Sequence, residues 1–133
     1  MRTGAIFLTC FAFVLSVTGC VPLGHSSLVA PPASGQVVDL ETLKPIIHAK
    51  VTRRIQAVNK TSNTTTDDAG SFSFPKRSKW FWLAGCRAAS PIEYCVSAEG
   101  HSAFKTNVYG GGDFYRGTVP HDFGRILLPR AAQ

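Results

Sequence analysis

The sequence of 133 residues has no long apolar segment beyond its first 25 residues. A membrane-spanning helix needs about 20 apolar residues in succession, so we expect the remainder of the chain to be soluble. The chain also lacks the motifs Gly-x-Ser-x-Gly, His-Glu-x-x-His and the glycine-rich phosphate loop. These absences exclude the common patterns of serine hydrolases, zinc proteases and nucleotide-binding enzymes. The sequence therefore predicts a protein that is not an enzyme.

Residues that could bind a metal ion are few and scattered. The four histidines are isolated from one another along the chain. Asp67 and Asp68 could begin a calcium loop, but no further carboxylates follow at the spacing that such a loop requires. The sequence predicts no metal site and no cofactor.

Acidic residues are also in short supply, because eight Asp and Glu stand against 14 Lys and Arg and give a net charge of +6. Two short basic clusters carry part of this excess: Lys50, Arg53 and Arg54, and Lys76, Arg77 and Lys79. Such a charge favours anionic neighbours such as lipid head groups, lipopolysaccharide or acidic polymers. The alternative is a solvated charged face that only keeps the domain soluble.

The amino terminus carries an export signal. Arg2 precedes an apolar stretch over residues 5–17, and Val17-Thr18-Gly19-Cys20 follows. This sequence resembles the lipobox of bacterial lipoproteins. The resemblance implies a signal peptide over residues 1–19, palmitate and other acyl chains on Cys20, and membrane anchoring. An ordinary cleaved signal and an uncleaved anchor are the alternatives.

The anchor has consequences for location and for the remaining cysteines. Val21 stands where an Asp would favour retention at the inner membrane, so the resemblance implies the periplasmic face of the outer membrane, where nucleic acid is not an expected partner. Residues 20–33 hold three prolines without periodicity and are predicted to be a lipidated tether. Cys86 and Cys95 form an even pair in an exported protein, which predicts a disulfide.

Residues 34–133 are predicted to form one domain of seven or eight short strands without a helix. Strands are expected at residues 36–40, 46–55, 64–66, 71–74, 80–83, 94–98, 104–109 and 124–129. Asp67-Asp68-Ala69-Gly70 predicts a hairpin turn, with both Phe72 and Phe74 on the core side of the next strand. Trp80 and Trp82 share one face of their strand, where we expect core packing. A platform that stacks on sugar rings is the alternative.

Three segments carry a family resemblance: residues 35–39, residues 44–51 and residues 64–74, which close in a Thr-Asp-x-x-Gly-x-Phe turn. With Val96-Ser97-Ala98-Glu99-Gly100-His101, they resemble the carboxypeptidase regulatory-like family. The resemblance implies a small Ig-like β-sandwich of transthyretin-like topology. His101 stands where an aromatic residue is commoner in that family.

A second resemblance points to an enzyme of the same fold. Residues 36–39 and Tyr115-Arg116-Gly117-Thr118 resemble the two ends of hydroxyisourate hydrolases. Gln36, however, stands where the catalytic histidine is expected, and glutamine cannot transfer a proton as imidazole does. This enzyme is therefore the least favoured alternative.

The leading functional hypothesis is a membrane-tethered binding or assembly module for another envelope component. The glycine-rich segment at residues 110–116 brings Phe114, Tyr115 and Arg116 to a loop that we expect to contact a partner. The alternative is a carbohydrate-binding lipoprotein that uses the Trp80 and Trp82 face. The expected partners are thus the membrane and an envelope protein or glycan.

Overall fold

The computed structural model describes residues 24–81, 89–110 and 120–132, and most of these residues lie in β-strands. The nine strands are β1 His25–Ala30, β2 Ala33–Asp39, β3 Lys50–Ile55, β4 Lys60–Thr65, β5 Ser71–Phe74, β6 Arg77–Phe81, β7 Ser90–Ser97, β8 Phe104–Gly110 and β9 His121–Leu128. Within these ranges the helical content is one 3-10 turn, Gln56–Val58. The predicted all-β fold is confirmed, with nine strands in place of the seven or eight expected.

The strands form a β-sandwich from three sheets. The four-stranded sheet has the order β4-β3-β7-β8 and is antiparallel throughout. In the three-stranded sheet β5-β2-β9, β2 is antiparallel to β5 and parallel to β9. The strands β1 and β6 form a two-stranded ribbon. One apolar core joins all three sheets through Val29, Ala30, Ala33, Val37, Ala49, Val51, Ile55, Phe72, Phe74, Ile92, Tyr94, Val96, Ile126 and Leu128.

The period of two residues decides which side chains enter this core. In β7, Ile92, Tyr94 and Val96 are buried, while the residues between them are only partly covered. Successive side chains of a strand point to opposite faces of the sheet, so this alternation presents one apolar face to the opposing sheet. Each fully buried aliphatic side chain stabilises the fold by about 1.5–3 kcal/mol relative to an exposed one.

The prediction of an irregular tether is wrong for residues 25–33. Strand β1 pairs with β6, and the side chains of Ser27, Val29 and Pro31 are buried. The segment can form a strand because its prolines fall in the link between β1 and β2. Proline cannot donate a hydrogen bond to a sheet, and in this link none is needed.

The predicted strand over residues 46–55 begins four residues later than expected. His48 has a positive φ of 57°, which is incompatible with an extended strand. The alternation therefore starts only after it: Ala49 and Val51 are buried, whereas Ile47 is 51% exposed.

A turn forms at Asp67–Gly70 as predicted, but the prediction of a hairpin is wrong, because the flanking strands β4 and β5 belong to different sheets. The Asp67 carboxylate accepts hydrogen bonds from the amides of Ala69 and Ser71 at 3.0 and 2.8 Å. Gly70 has the positive φ of 70° that the turn requires. The following strand then turns Phe72 and Phe74 into the core, as predicted.

The expectation that Trp80 packs in the core is wrong, because its side chain is 62% exposed. In the described part of the chain, β6 pairs with β1 alone, so its strand belongs to a two-stranded ribbon on which the Trp80 side chain faces solvent.

Candidate binding site

Most residues predicted to bind a partner lie outside the described part of the chain. These are Trp82, Phe114, Tyr115 and Arg116, together with Cys20 and Cys86. Cys95 lies in β7 and is partly buried. Lipidation, the disulfide and the loop contact therefore remain predictions.

A groove of about 280 Å³ is lined in part by strand β6, the strand that also carries Trp80. Its lining residues are Val29, Val58, Lys60, Arg77, Ser78 and Lys79. The two valines give the groove an apolar side, and the lysines and the arginine surround it with positive charge. Trp80 follows Lys79 directly in the chain but is not one of the lining residues. The groove can therefore offer cationic and apolar contacts side by side.

The structure exposes only part of the basic surface that the sequence predicts. Lys50 and Arg54 are exposed, but Arg53 is completely buried. Arg53 lies between Val51 and Ile55 on the inward face of β3, in phase with both. A cation at a core position is uncommon, and its surroundings have to compensate for the loss of water.

Those surroundings compensate for one half of the Arg53 guanidinium group. Nη1 donates hydrogen bonds to the carbonyl oxygens of Pro31 and Pro75 at 3.2 and 3.1 Å. The guanidinium carbon lies 4.6 Å from the ring centroid of Phe74, which is cation–π geometry. Nε and Nη2 are buried and have no hydrogen-bond partner among the residues that the structure describes. The group is thus held firmly on one side and unpaired on the other.

Tyr94 and His121 complete this interior cluster. The Tyr94 hydroxyl oxygen lies 3.4 Å from Nδ1 of His121. Burial raises the pKa of Tyr94 and, together with the charge of Arg53, lowers the pKa of His121. Burial also lowers the pKa of Arg53, but guanidinium remains protonated in proteins. At neutral pH the cluster therefore contains one cation and two neutral polar rings.

A second polar cluster joins the end of β2 to the carboxyl-terminal end of the described chain. Oδ1 of Asp39 accepts hydrogen bonds from the amides of Glu41 and Thr42 at 2.9 and 2.8 Å. Oδ2 lies 3.0 Å from Nε2 of His101 and 3.3 Å from Nε of Arg130. We call Asp39, His101 and Arg130 the clasp. Because these contacts satisfy the carboxylate within the fold, the clasp has a structural role.

Both nitrogen atoms of His101 face acceptors, since Nδ1 lies 2.9 Å from the carbonyl oxygen of Glu99. A ring that donates from both nitrogens is the imidazolium form. The bond to Asp39, followed by the bond to Glu99, accordingly raises the pKa of His101. The amide of Thr42, followed by His101, lowers the pKa of Asp39 well below its ordinary range.

The clasp predicts a pH dependence of stability. The raised pKa of His101 makes a stabilising contribution to the free energy of unfolding. This contribution is complete below about pH 6.5 and is lost as pH rises through the folded-state pKa. The lowered pKa of Asp39 gives a contribution that is present above about pH 4 and is lost in strong acid. His101→Gln should therefore lower the melting temperature by roughly 3 °C at pH 5.5 and by much less at pH 9.

Arg130→Gln is the matched control, because arginine does not titrate in this range. Its effect on the melting temperature should be nearly the same at both pH values. Glu41 also lies close, 3.6 Å from Arg130, and it is present in both variants. A constant effect of His101→Gln across the range would contradict the imidazolium assignment.

Gln36, which bears on the hydrolase alternative, lies in β2. Its side-chain amide donates to the carbonyl oxygen of Ala69 at 2.8 Å, so it connects β2 to the turn between β4 and β5. Over the described ranges, no three His, Cys, Asp or Glu side chains gather where they could hold a metal ion. The same residues include no helix of sufficient length and apolarity to span a membrane.

The sequence matches no protein-family model and no curated protein. Among solved structures, the fold is similar to that of catechol 1,2-dioxygenase from Acinetobacter sp. ADP1, inhibited by bound mercury. The TM-score is 0.49 and the identity 17%, over 86% of this chain and 55% of that chain. The fold is also similar to 3-chlorocatechol 1,2-dioxygenase from Rhodococcus opacus 1CP, with a TM-score of 0.48 and 12% identity over 89% and 77% of the two chains.

A third similar structure is a 9R-lipoxygenase from Cyanothece PCC8801. Its TM-score is 0.42 and its identity 20%, over 77% of this chain and 17% of that chain. These likenesses concern the β-sandwich architecture alone, since sequence identities at this level do not carry activity from one protein to another.

Proposed function

We propose that this protein is a non-catalytic binding module of the bacterial cell envelope, anchored through Cys20 at the periplasmic face of the outer membrane. We propose further that the groove at β6 binds an acidic glycan. The finer assignment to the carboxypeptidase regulatory-like sandwiches of transthyretin-like topology belongs to the same proposal. The observation that carries it is the exposure of Trp80 on the same strand that brings Arg77 and Lys79 to a cationic groove.

The exposure of Trp80 favours a ligand with a flat apolar face. Indole is the largest side chain, and leaving it in water forgoes the stabilisation that burial would bring. Tryptophan is enriched at binding interfaces because its ring offers a wide apolar surface with one polar group. The C–H face of a sugar ring matches such a surface.

The charge of the groove favours an acidic ligand. Lys60 comes from the start of β4 and Arg77 from β6, so two different sheets bring cations to the same place. The guanidinium of Arg77 can receive a carboxylate or phosphate through a planar fork, and the ammonium of Lys60 acts as a point charge. A polymer of uronic acids or of phosphorylated sugars would satisfy both.

A second candidate function is the capture of another envelope protein. Leu40, Leu43 and Ile47 are all exposed within one short segment, and Leu127 is exposed on the neighbouring strand β9. Exposed apolar side chains that gather in one region are typical of protein interfaces. This second candidate uses a part of the surface that does not include the groove.

Retention of the detergent-solubilised full-length protein on immobilised polygalacturonate tests the glycan proposal. We expect binding that weakens with salt and no binding to neutral dextran. Trp80→Ala should weaken binding about tenfold. Replacing both Lys60 and Arg77 by alanine should remove most of the salt dependence.

Two matched controls use side chains outside the groove. Tyr109→Ala removes another exposed aromatic ring, and Lys105→Ala removes another exposed cation; both should bind as the unaltered protein does. Equal losses in the control and groove variants would overturn the glycan proposal. Cell fractionation with Cys20→Ala tests the anchor independently, because the variant should leave the membrane fraction.

A further inference from the structure

Arg53 presents one edge of its guanidinium group, formed by Nε and Nη2, to which no described residue offers an acceptor at hydrogen-bonding geometry. Its side chain is fully buried, and the Nη1 donors are satisfied by the carbonyl oxygens of Pro31 and Pro75. The N–H groups of Nε and Nη2 have no partner within the described ranges. These two groups point in the same direction along the guanidinium plane, and together they form the fork that receives an oxyanion through two parallel hydrogen bonds.

The same side chain lacks a counter-charge among the described residues. The charged or titratable described side chains that interact with Arg53 are Tyr94, Arg77 and His121, and none of them is an anion at pH 7. Tyr94 is neutral at pH 7, because burial raises its pKa, and Arg77 is itself a cation. A buried charge is costly unless it is paired and hydrogen-bonded. The fork therefore needs a partner of negative charge.

A third buried donor lies in the same cluster. Nε2 of His121 is buried without a hydrogen-bond partner in the described part of the chain. Tyr94 interacts with Arg53 and also contacts Nδ1 of His121 through its hydroxyl oxygen. When this hydroxyl donates to Nδ1, the proton of the neutral imidazole lies on Nε2, which makes Nε2 a donor. Among the described residues, the cluster thus contains three nitrogen donors without an acceptor: Nε and Nη2 of Arg53 and Nε2 of His121.

We infer that the Arg53 fork is a binding site for one small oxyanion, a carboxylate or a phosphate, with His121 as a neighbouring donor. The site lies inside the sandwich and shares no lining residue with the groove at β6. It is therefore independent of the proposed glycan binding. The planar fork favours oxyanions over spherical halides.

Thermal unfolding of the full-length protein at constant ionic strength tests this inference. Sodium acetate and sodium phosphate, each from 1 to 100 mM, replace sodium chloride in two separate series. A ligand that binds only the folded state raises the melting temperature with its concentration, and we expect a rise of about 5 °C. The series with the larger rise identifies the carboxylate or the phosphate as the preferred ion.

Three variants attribute the rise to the fork. Arg53→Lys keeps the charge but loses the fork, and Arg53→Met removes both; neither should respond to the oxyanions. Arg54→Met is the matched control on the exposed face of the same strand and should respond as the unaltered protein does. Should the Arg53 variants fail to fold, His121→Phe removes the neighbouring donor and should reduce the rise.

A crystal structure grown with sodium selenate provides the direct observation. We expect an anomalous peak within hydrogen-bonding distance of Nε and Nη2 of Arg53. A rise of equal size in Arg53→Met would show a general salt effect and overturn the inference. The inference would also be overturned if the melting temperature of the unaltered protein did not change with acetate or phosphate concentration. Ordered waters in place of selenate on the Arg53 fork would overturn it as well.

Discussion

Replacing Gly70 by alanine is expected to lower the free energy of unfolding by about 3 kcal/mol. Gly70 has a φ of 70°, and a Cβ atom there would lie 2.6 Å from the carbonyl oxygen of Val37 and 3.0 Å from Cβ of Pro45. The amide of Val37 donates to the carbonyl oxygen of Gly70 at 2.8 Å. The two backbones therefore cannot separate to admit a methyl group without losing this hydrogen bond.

Gly100→Ala is the matched control for this prediction. Gly100 has nearly the same φ, 72°, but a Cβ atom there would have nothing within 4 Å. Gly100→Ala should therefore lower the free energy of unfolding only by the cost of the left-handed conformation, about 1 kcal/mol. Urea denaturation of both variants measures the difference. Equal losses would show that the close approach at Gly70 contributes nothing.

The turn at Gly70, which connects two sheets instead of closing the predicted hairpin, illustrates what the sequence can predict. Asp67 and Gly70 stand at the positions where the turn needs a side-chain acceptor and a positive φ, so local chemistry identifies the turn. The contact of Gly70 with Val37 joins residues that are 33 apart in sequence, and no local pattern contains it. The sequence therefore predicts the turn but not the reason why replacing Gly70 destabilises the fold.

Two errors in the fold have a similar origin. Residues 25–30 were interpreted as a tether from their proline-rich surroundings, but β6 supplies a partner strand that composition cannot reveal. Trp80 was expected in the core because it is apolar, but β6 lies in a two-stranded ribbon on which the Trp80 side chain is exposed to solvent. In both cases the environment is decided by strand pairing, which is a tertiary property.

The interior cluster could have been found from the sequence. Arg53 lies in phase with Val51 and Ile55, so the period of two placed it on the buried face. Its charge led to the opposite interpretation, because arginine is rarely buried. No sequence pattern of this kind indicates the clasp, since Asp39 and His101 are 62 residues apart. The predicted contact residues Phe114, Tyr115 and Arg116 lie outside the described part of the chain.

Replacing Phe74 by alanine is expected to lower the free energy of unfolding by about 4 kcal/mol. The buried ring contacts Phe72 and Tyr94 at centroid distances of 6.2 Å each. It also lies 4.6 Å from the guanidinium carbon of Arg53. Alanine would leave a cavity where three elements of the core meet. The neighbouring Ser73→Ala, at an exposed position of β5, should change the stability by less than about 0.5 kcal/mol.

Phe74→Leu separates the packing of this ring from its interaction with Arg53. Leucine retains most of the apolar volume but lacks the π face that attracts a cation. If the ring stabilises the buried guanidinium, Phe74→Leu should cost about 1–2 kcal/mol more in the unaltered protein than in Arg53→Met. The four proteins of this double-mutant cycle are compared by urea denaturation. An identical cost in both backgrounds would mean that Phe74 acts only by filling space, and the stability of the buried cation would then rest on the two carbonyl oxygens and on whatever occupies its fork.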